Sequence, residues 1–598
     1  MKRPIPASAD SPNPTSSPHA VFWSPQATQV CEGLVEVVQT DAIAEIPACL
    51  DRVRAGVAQG LTAAGFLAYE AAPGLDPALT AHPPDGEPLL WFGLFRALRT
   101  TPTPTARETG AYAVGEWTPR VDRADYLTTV ARIRALIAAG DTYQTNYTFP
   151  MDASFSGDAL AWFLDLCDRQ QAAHAAFLDL GRFAVVSASP ELFFQLDGDR
   201  IVTRPMKGTR PRGLCPQADE ALRDELASSV KDQAENIMIV DLLRNDLGRI
   251  SEIGSVEAPY LYQVERYETV WQMTSTVAAR TRADVPEILR ALFPCGSVTG
   301  APKRRTMEII RELEPHRRGV YCGAVGWWGP GRRAAFNVAI RTAWIDRSAG
   351  SARYHVGGGI TWDSAPEGEY DECMTKAALV RRHRPRFALL ESLRLEDGRY
   401  WVLDAHLERL AASADYFGFS CDLDAVRASL DDAAAAAPVG VHKVRLLLDR
   451  TGRVSTECAP IAAASPRIRL GLARDPIDPT DVYLYHKTTH RRVYDDALAA
   501  RPDCDDVLLW NRGGEVTEST RANVVVELDG VAYTPPVTAG LLGGTFRREL
   551  LEQGAIVERT IRVDELPRAG SIRLINSVRG WMDTEWAGPV ADPAPPDA

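Results

Sequence analysis

With 598 residues the chain is longer than a single domain normally runs, and 45% hydrophobic residues is an ordinary globular composition. A formal charge of −13 argues against a nucleic-acid-binding surface, and no apolar run of about 18 residues exists to predict a membrane span. The 10 cysteines are scattered without a Cys-x-x-Cys pair, which excludes a disulfide framework and a zinc ribbon and points to reduced thiols in a cytoplasmic protein.

Residues 1–20 are rich in Pro, Ser, Asn and Thr. Lys2 and Arg3 have no apolar core behind them, so a disordered tail is expected there, not a signal peptide. Ala63–Glu70 and Leu89–Phe95 read as buried strands with glycine interruptions, followed by a Pro/Thr-rich link at 101–105. No chemistry is legible between residues 21 and 120.

The spacing of Tyr126, Val130, Ile133, Leu136 and Ile137 predicts a helix over 125–139, with Asp122 or Asp125 as cap and Gly140 as terminator. In the following segment Gln144 and Asn146 share one strand face, either as hydrogen-bond partners in the core or as pocket lining. Glu191–Leu196, Asp197-Gly198-Asp199 and Ile201–Thr203 read as a hairpin. It presents Pro205-Met206-Lys207-Gly208-Thr209-Arg210 at a strand end. A lysine walled off from water loses proton affinity and becomes a nucleophile or base. On this hexapeptide alone, a solvated lysine is the more ordinary reading.

Leu222–Leu247 predicts one long helix, and its period puts Glu235 on the side of Met238 and Leu242, toward the interior. A buried carboxylate needs a partner or a metal. A second acidic cluster, Glu367–Glu372, opens another helix, with Glu369 and Glu372 on one face. Such carboxylates suit a hard cation; a solvated acidic helix start is the alternative. Arg341 lies in an otherwise apolar strand, as a bidentate carboxylate reader would. Gly357-Gly358-Gly359 lets backbone N–H groups come close to an anion. Arg381–Arg386 is a basic, proline-containing linker.

Taken in order, Ser189-Pro190-Glu191, Lys207-Gly208-Thr209, Glu235–Leu247, Gly296–Lys303 and His355–Ile360 resemble the chorismate-utilising enzymes. These include anthranilate synthase, isochorismate synthase and aminodeoxychorismate synthase component I. The match runs over about residues 120–380. The resemblance implies an α+β domain over 21–383 with packed antiparallel sheets and helices. It implies Mg²⁺ on Glu235 and Glu372, with Glu369 and Asp232 behind them, and chorismate against Thr209, Trp327, Arg341 and Gly357–Gly359. Lysine before Gly-Thr resembles the aminodeoxychorismate synthases, whereas anthranilate synthases carry alanine. In that resemblance Lys207 attacks C2 of chorismate, the C4 hydroxyl leaves and ammonia enters at C4. Glu191 is the candidate acid/base partner. Gln272 stands where relatives commonly have His.

After the linker, Phe387–Leu393 predicts a strand, His406–Phe417 a helix and Val482–Tyr485 a strand leading to Lys487. Glu515–Val524 and Gly540–Arg547 follow. This order, over 387–588, resembles the fold-type IV pyridoxal-phosphate enzymes: branched-chain and D-amino-acid aminotransferases and aminodeoxychorismate lyase. The resemblance implies pyridoxal 5′-phosphate held by Lys487, with Glu518 facing the pyridine nitrogen and Arg409, Gly544 and Thr545 on the phosphate. Glu391, Asn523 and Asn576-Ser577 match further motif positions without an assigned role. Residues 589–598 are another predicted loose end.

Together the halves imply amination of chorismate to 4-amino-4-deoxychorismate, then loss of pyruvate to give 4-aminobenzoate. Ammonia is expected from a separate glutaminase subunit, because no Gly-x-Cys-x-Gly segment is present, and a homodimer is expected through the second domain. Three alternatives stay open. The second domain could be an amino-acid aminotransferase or a module that has lost catalysis, and the first could make anthranilate.

Overall fold

The computed structural model describes residues 19–24, 27–102, 109–381, 385–461 and 467–588. The expected tails therefore lie outside the described residues, apart from His19 and Ala20, and so does part of the linker. Two compact units are present: Met1–Pro211 with Arg223–His383, and Arg212–Leu222 with Arg384–Ala598. The sequence puts residues 212–222 in the first half; the structure puts them in the second. Arg212 explains why: it pairs with Asp219 at 2.6 Å and donates to the Tyr416 carbonyl at 3.1 Å, and the Tyr416 hydroxyl donates to the Gly213 carbonyl at 2.7 Å.

Among the described residues, every strand pairing named within the first unit is antiparallel. One run of pairings joins Thr28–Thr40, Leu90–Thr101, Thr62–Leu67, Ala324–Gly329, Arg333–Val338, Leu192–Asp197, Arg200–Arg204 and Val270–Arg280. A second joins His19–Trp23, Ala175–Asp179, Phe183–Ser187, Thr342–Asp346, Ser351–Ile360 and Gln144–Gly157. Each has its own apolar core, one including Phe66, Phe92 and Leu289, the other Trp162, Phe149 and Tyr354. The strand Met206–Pro211 pairs with Val270–Arg280, its register slipping between Met206 and Thr209.

Local signals are largely obeyed. The predicted helix spans Arg123–Ala138, and Asp122 caps it by accepting from the Asp125 N–H. The hairpin turns at Gly198, whose φ of 60° is the left-handed conformation glycine tolerates. The long helix is two helices, Pro216–Ser228 and Val230–Gly248, because Ser229 takes an extended conformation and caps the second. Its buried stripe is Asp232, Asn236, Ile239, Leu243 and Leu247; Glu235, Met238 and Leu242 stand at its flank, half-buried.

The second unit has a four-stranded antiparallel sheet, including Leu389–Glu396, Val441–Leu448 and Val454–Pro460, and an eight-stranded mixed sheet. The helix Leu403–Phe417 packs on the first of these. Val482–Leu484 is a turn of 3₁₀-helix, not the expected strand, because Asp481 accepts from the Tyr483 N–H and closes a local turn. No helix among the described residues is long and apolar enough to cross a membrane.

Glu314 and Arg318 form a buried ion pair at 2.7 Å, both 2% exposed. Glu314 also takes the Thr148 N–H and hydroxyl. Glu314→Ala would strand a buried guanidinium, so a loss of about 3–5 kcal/mol is expected. Urea unfolding of wild type and variant measures it; a change under about 1 kcal/mol would contradict this account of the pair.

Candidate active sites

The first site is a cavity of about 230 Å³ in the first unit. Its lining includes Lys207, Glu191, Glu235, Asp232, Glu369, Glu372, Thr209, Arg341 and Gly357–Gly359, so sequence-distant candidates do converge. Lys207 is placed by its backbone. Asn236 Nδ2 donates to its carbonyl at 3.2 Å, and Gln272 Nε2 donates to the Gly208 carbonyl at 2.7 Å. The Thr209 hydroxyl donates to Gln272 Oε1 at 3.1 Å. Gln272 thus braces the lysine's strand. Gly208 has φ 98°, a conformation L side chains rarely take.

The Lys207 side chain is 14% exposed, with its Nζ 3.6 Å from Glu235 Oε2. A methyl group added to Gly359 would come within 2.2 Å of Lys207 Nζ and 2.8 Å of Gln144 Nε2. The bare Gly359 backbone therefore leaves the room that the amine occupies. Gln144 is buried, with no hydrogen-bond partner for its amide, behind the cavity wall that Asn146 lines.

Glu191 is 3% exposed. Burial pushes its carboxyl up to about 7, against the Ser297 hydroxyl and Met206 N–H that favour the anion. Ser297 Oγ donates to it at 2.6 Å. A carboxyl of this kind can give a proton near neutral pH. Sequence reasoning quoted Ser297 within a motif and missed its role.

The acidic residues sort by partner. Glu372 accepts from Lys376 at 2.8 Å, which holds its carboxyl below the usual range despite burial. Burial pushes Glu369 up. Asp232 takes Arg210 at 2.9 Å and the Ser229 hydroxyl at 2.5 Å, which makes it a brace between strand and helix. Among the described residues no three His, Cys, Asp or Glu side chains stand gathered as a metal site. Oxygen donors from two helices on one cavity are nonetheless what a hard divalent cation takes, and Lys207 and Lys376 now supply the positive charge there.

Two expectations need correction. Trp327 does not line the Lys207 cavity. It lines another, of about 390 Å³, with Trp23, His174, Leu192 and Asn337. Its strand, Ala324–Gly329, pairs with Thr62–Leu67 and Arg333–Val338, so the Lys207 strand Met206–Pro211 is not its neighbour. Arg341 is not within a strand: the strand ends at Val338, and Arg341 has φ 51° before Thr342 resumes pairing. The half-buried Arg341 side chain lines the cavity, its buried Nη1 without a hydrogen-bond partner and its guanidinium over the Tyr267 ring at 5.6 Å. A guanidinium nitrogen buried without a partner suits a carboxylate.

The second site is a cavity of about 60 Å³ in the second unit, lined by Lys487, Glu518, Arg409, Gly544 and Thr545. Burial, then the nearby Arg409 guanidinium, push the Lys487 amine down to about 8. Burial lifts Glu518 to about 7. Glu518 accepts from the Tyr494 hydroxyl at 2.8 Å, Asn523 at 3.2 Å and the Leu542 N–H at 3.1 Å. Arg409 is committed through Nε and Nη2 to Glu391, at 2.9 and 2.6 Å. Burial lifts the Glu391 carboxyl, but Arg409 and His406 outweigh it and hold it at about 2. Glu391 and Asn523 thus position Arg409 and Glu518. Gly544 caps the helix Thr545–Glu552, and a Cβ there would fall 1.9 Å from Asn523 Oδ1. An amine that is neutral near pH 8, a fixed acid and a glycine-tight helix start fit an aldehyde-bearing, phosphorylated pyridine cofactor.

Residues 7–382 match the model of the chorismate binding enzyme family. The chain belongs to that family. Residues 388–584 match the model of amino-transferase class IV, so the second half carries a class IV aminotransferase domain. Among curated relatives, aminodeoxychorismate synthase component 1 of Escherichia coli is 41% identical over 44% of this chain and 58% of its own length. Aminodeoxychorismate synthase of Streptomyces griseus is 46% identical over 44% of this chain and 36% of its own. Anthranilate synthase component 1 3 of Haloarcula marismortui is 40% identical over 47% of this chain and 55% of its own. The chain thus spans 36–58% of the length of these relatives. The crystal structure of anthranilate synthase component I from Streptococcus pneumoniae shares the fold at TM-score 0.50, with 24% identity over 64% of this chain and 94% of that one. The family's shared fold is the antiparallel, helix-clad arrangement of the first unit.

The depressed Lys487 amine gives a direct test. Its neutral fraction falls tenfold per pH unit below about 8 and saturates above it. Capture of pyridoxal at Lys487 by cofactor-free protein, fixed by borohydride and read by mass spectrometry, should follow that curve. A rise continuing to about pH 10, as for an ordinary lysine, would contradict the burial argument.

Proposed function

We propose that the chain makes 4-aminobenzoate in two steps, one in each unit. The first replaces the C4 hydroxyl of chorismate with ammonia to give 4-amino-4-deoxychorismate; the second expels pyruvate. The observation that carries the reading is Lys207 itself, in a cavity of the chorismate family with a buried Glu191 that can donate a proton. The 40% identical relative named for anthranilate synthase is compatible with the fold, but the amine at position 207 favours amination at C4.

Glu235 and Glu372, with Glu369 behind them, would hold Mg²⁺, which supplies positive charge for a substrate carboxylate. Asp232, tied to Arg210, supports them from outside. Arg341 and the Gly357–Gly359 backbone receive the remaining anionic oxygens. Lys207 Nζ forms a bond to C2, the ring double bonds shift, and the C4–O bond breaks as Glu191 protonates the departing hydroxyl. Ammonia then bonds at C4, the double bonds shift back and the C2–N bond to Lys207 breaks. Ammonia comes from a separate glutamine amidotransferase subunit or from solution.

In the second unit Lys487, Glu518, Arg409, Gly544 and Thr545 would hold pyridoxal 5′-phosphate, which supplies an electron sink for the substrate amine. Lys487, whose amine burial holds down to about 8, would take the C4 proton. The C3–O bond breaks, pyruvate departs and the ring becomes aromatic. Glu518, fixed by Tyr494 and Asn523, keeps its carboxyl facing the cavity. A homodimer through this unit and a cytoplasmic setting complete the proposal. The class IV match favours one other reading, an amino-acid aminotransferase. Its mark would be exchange between amino and keto acids without release of pyruvate.

Purified protein given chorismate, ammonium, Mg²⁺ and cofactor should yield 4-aminobenzoate and pyruvate in equal amounts. Lys207→Ala should abolish both, whereas Lys487→Ala should accumulate 4-amino-4-deoxychorismate. A main product of 2-aminobenzoate, or amino-group exchange alone, would overturn the assignment. Glu191→Gln should slow the first step on the order of 10²–10⁴-fold with little change in KM. With wild type the first step should fall as pH rises through about 7, where the Glu191 proton is lost; a rate rising there would remove Glu191 as the acid.

A further inference from the structure

Ser297 lines the Lys207 cavity from a short 3₁₀ turn, Gly296–Val298. The turn is fastened on both sides. The Val298 carbonyl accepts from the buried Arg318 guanidinium at 2.7 Å, and the Thr299 carbonyl accepts from the Asn146 N–H at 2.8 Å. The Thr299 hydroxyl donates back to the Cys295 carbonyl at 3.1 Å. Glu314 holds Arg318, so that buried ion pair and the strand Gln144–Gly157 together fix where Ser297 stands. Glu191 is fixed through its own backbone. Its carbonyl accepts from the Val338 N–H at 3.1 Å, and its N–H donates to Ser189 Oγ at 3.2 Å. Two fastened segments thus bring Ser297 Oγ to 2.6 Å from Glu191 Oε1.

A hydroxyl has one proton to give. Ser297 Oγ has a second neighbour, Cys295 Sγ, at 3.2 Å. A thiol sulfur is a weak acceptor beside a carboxyl oxygen, so the proton goes to Glu191. Burial pushes the Cys295 thiol up to about 12, which keeps it neutral and out of that competition. Donation to Oε1 leaves Oε2 to carry the acid's own proton. Burial raises the Glu191 carboxyl; among the groups that favour its anion, Ser297 acts most, ahead of the Met206 N–H and the Lys207 ammonium. Cys322, the other thiol acting with Glu191, is likewise pushed up to about 12 by burial. A carboxylate in a site 3% exposed is costly without a donor, and Ser297 is a donor already in place.

We propose that Ser297 is the positioning residue of the Glu191 acid: its hydroxyl, held by the Arg318-fastened turn, keeps the reactive proton on Oε2 and steadies the carboxylate left when that proton moves to the departing hydroxyl oxygen. The proton leaves with that oxygen as water. The ammonia that bonds at C4 returns one proton to the carboxylate, so Ser297 keeps its own throughout. The proposal rests on the reading of the first unit given above. It goes further by assigning the residue that sets the pH range in which that unit works.

The test is the pH dependence of kcat for chorismate consumption by the full-length protein with Mg²⁺ and a fixed concentration of neutral ammonia. In Ser297→Ala the anion loses a donor, so Glu191 holds its proton to higher pH. The falling limb, expected at about 7 in wild type, should move up by about one to two units. Below that limb kcat should drop roughly tenfold with the KM for chorismate nearly unchanged. Ser297→Thr, which keeps the hydroxyl, should retain the wild-type limb. A second readout needs no turnover. The carboxylic acid C=O stretch that Glu191→Gln removes, followed by difference infrared spectroscopy, should titrate with its midpoint raised by the same amount in Ser297→Ala. Pyruvate release from supplied 4-amino-4-deoxychorismate, the task of the second unit, checks folding in the same preparation. A limb and midpoint that stay put or move down in Ser297→Ala, or a Ser297→Thr variant that behaves like it, would overturn the proposal. If wild type consumes no chorismate but the infrared midpoint rises in Ser297→Ala, the amination reading fails and the hold of Ser297 on Glu191 stands. If chorismate is aminated normally and neither readout moves, the positioning role alone fails.

Discussion

An amine drawn away from water is the constraint on which each half of the molecule depends. A lysine in bulk solvent is a cation and no nucleophile. In the first unit Lys207 shares its cavity with the glycine run and five carboxylates, its strand held by Asn236 and Gln272. In the second, Lys487 is pushed toward neutrality by burial and by Arg409. Both sites place a carboxyl with raised proton affinity near the amine, Glu191 in one and Glu518 in the other. What the two sites share is a carboxyl that burial keeps protonated near neutral pH, beside a lysine in a cavity.

The scaffolds reach that end differently. The first unit braces its amine through the backbone, since the polar contacts fall on the carbonyls of Lys207 and Gly208 and leave Nζ to the cavity. The second surrounds its amine with side-chain pairs, Arg409 with Glu391 and Glu518 with Tyr494. A backbone brace leaves the side chain free to swing between partners. A ring of paired charges instead sets the field around a group that stays near one spot.

Much of this was legible in the sequence where the signal is local or rigidly ordered. The Asp122 cap, the Gly198 turn and the helix opened by Glu367–Glu372, which spans Pro366–Arg381, were found because each depends on neighbouring residues. Lys207, Glu191, Glu235, Glu369, Glu372 and Arg341 were found from motif order, and the fold does gather them. What failed depended on long-range geometry. Trp327 carries no local mark of which cavity it faces, because sheet pairing alone decides that. The partners of Ser297 and Gln272 are distant in sequence, so no window contains both ends of either hydrogen bond. Glu235 was put on the buried face by its spacing from Met238 and Leu242, but the true stripe, through Asp232 and Asn236, holds polar residues that a hydrophobicity pattern discounts. Val482–Tyr485 has strand-like composition, and a single Asp481 cap overrode it.

The segment Arg212–Leu222 has a consequence for dividing the protein. It follows the strand Met206–Pro211 directly, yet its ion pair, its ring contact and the hydroxyl of Tyr416 all belong to the second unit. A gene cut at the basic linker would give an amino-terminal piece carrying a strip whose binding site is gone. The carboxyl-terminal piece would bare Tyr416 and the neighbouring His486 to solvent. The two compact units are therefore interleaved along the polypeptide, and a cut at the linker divides the second of them.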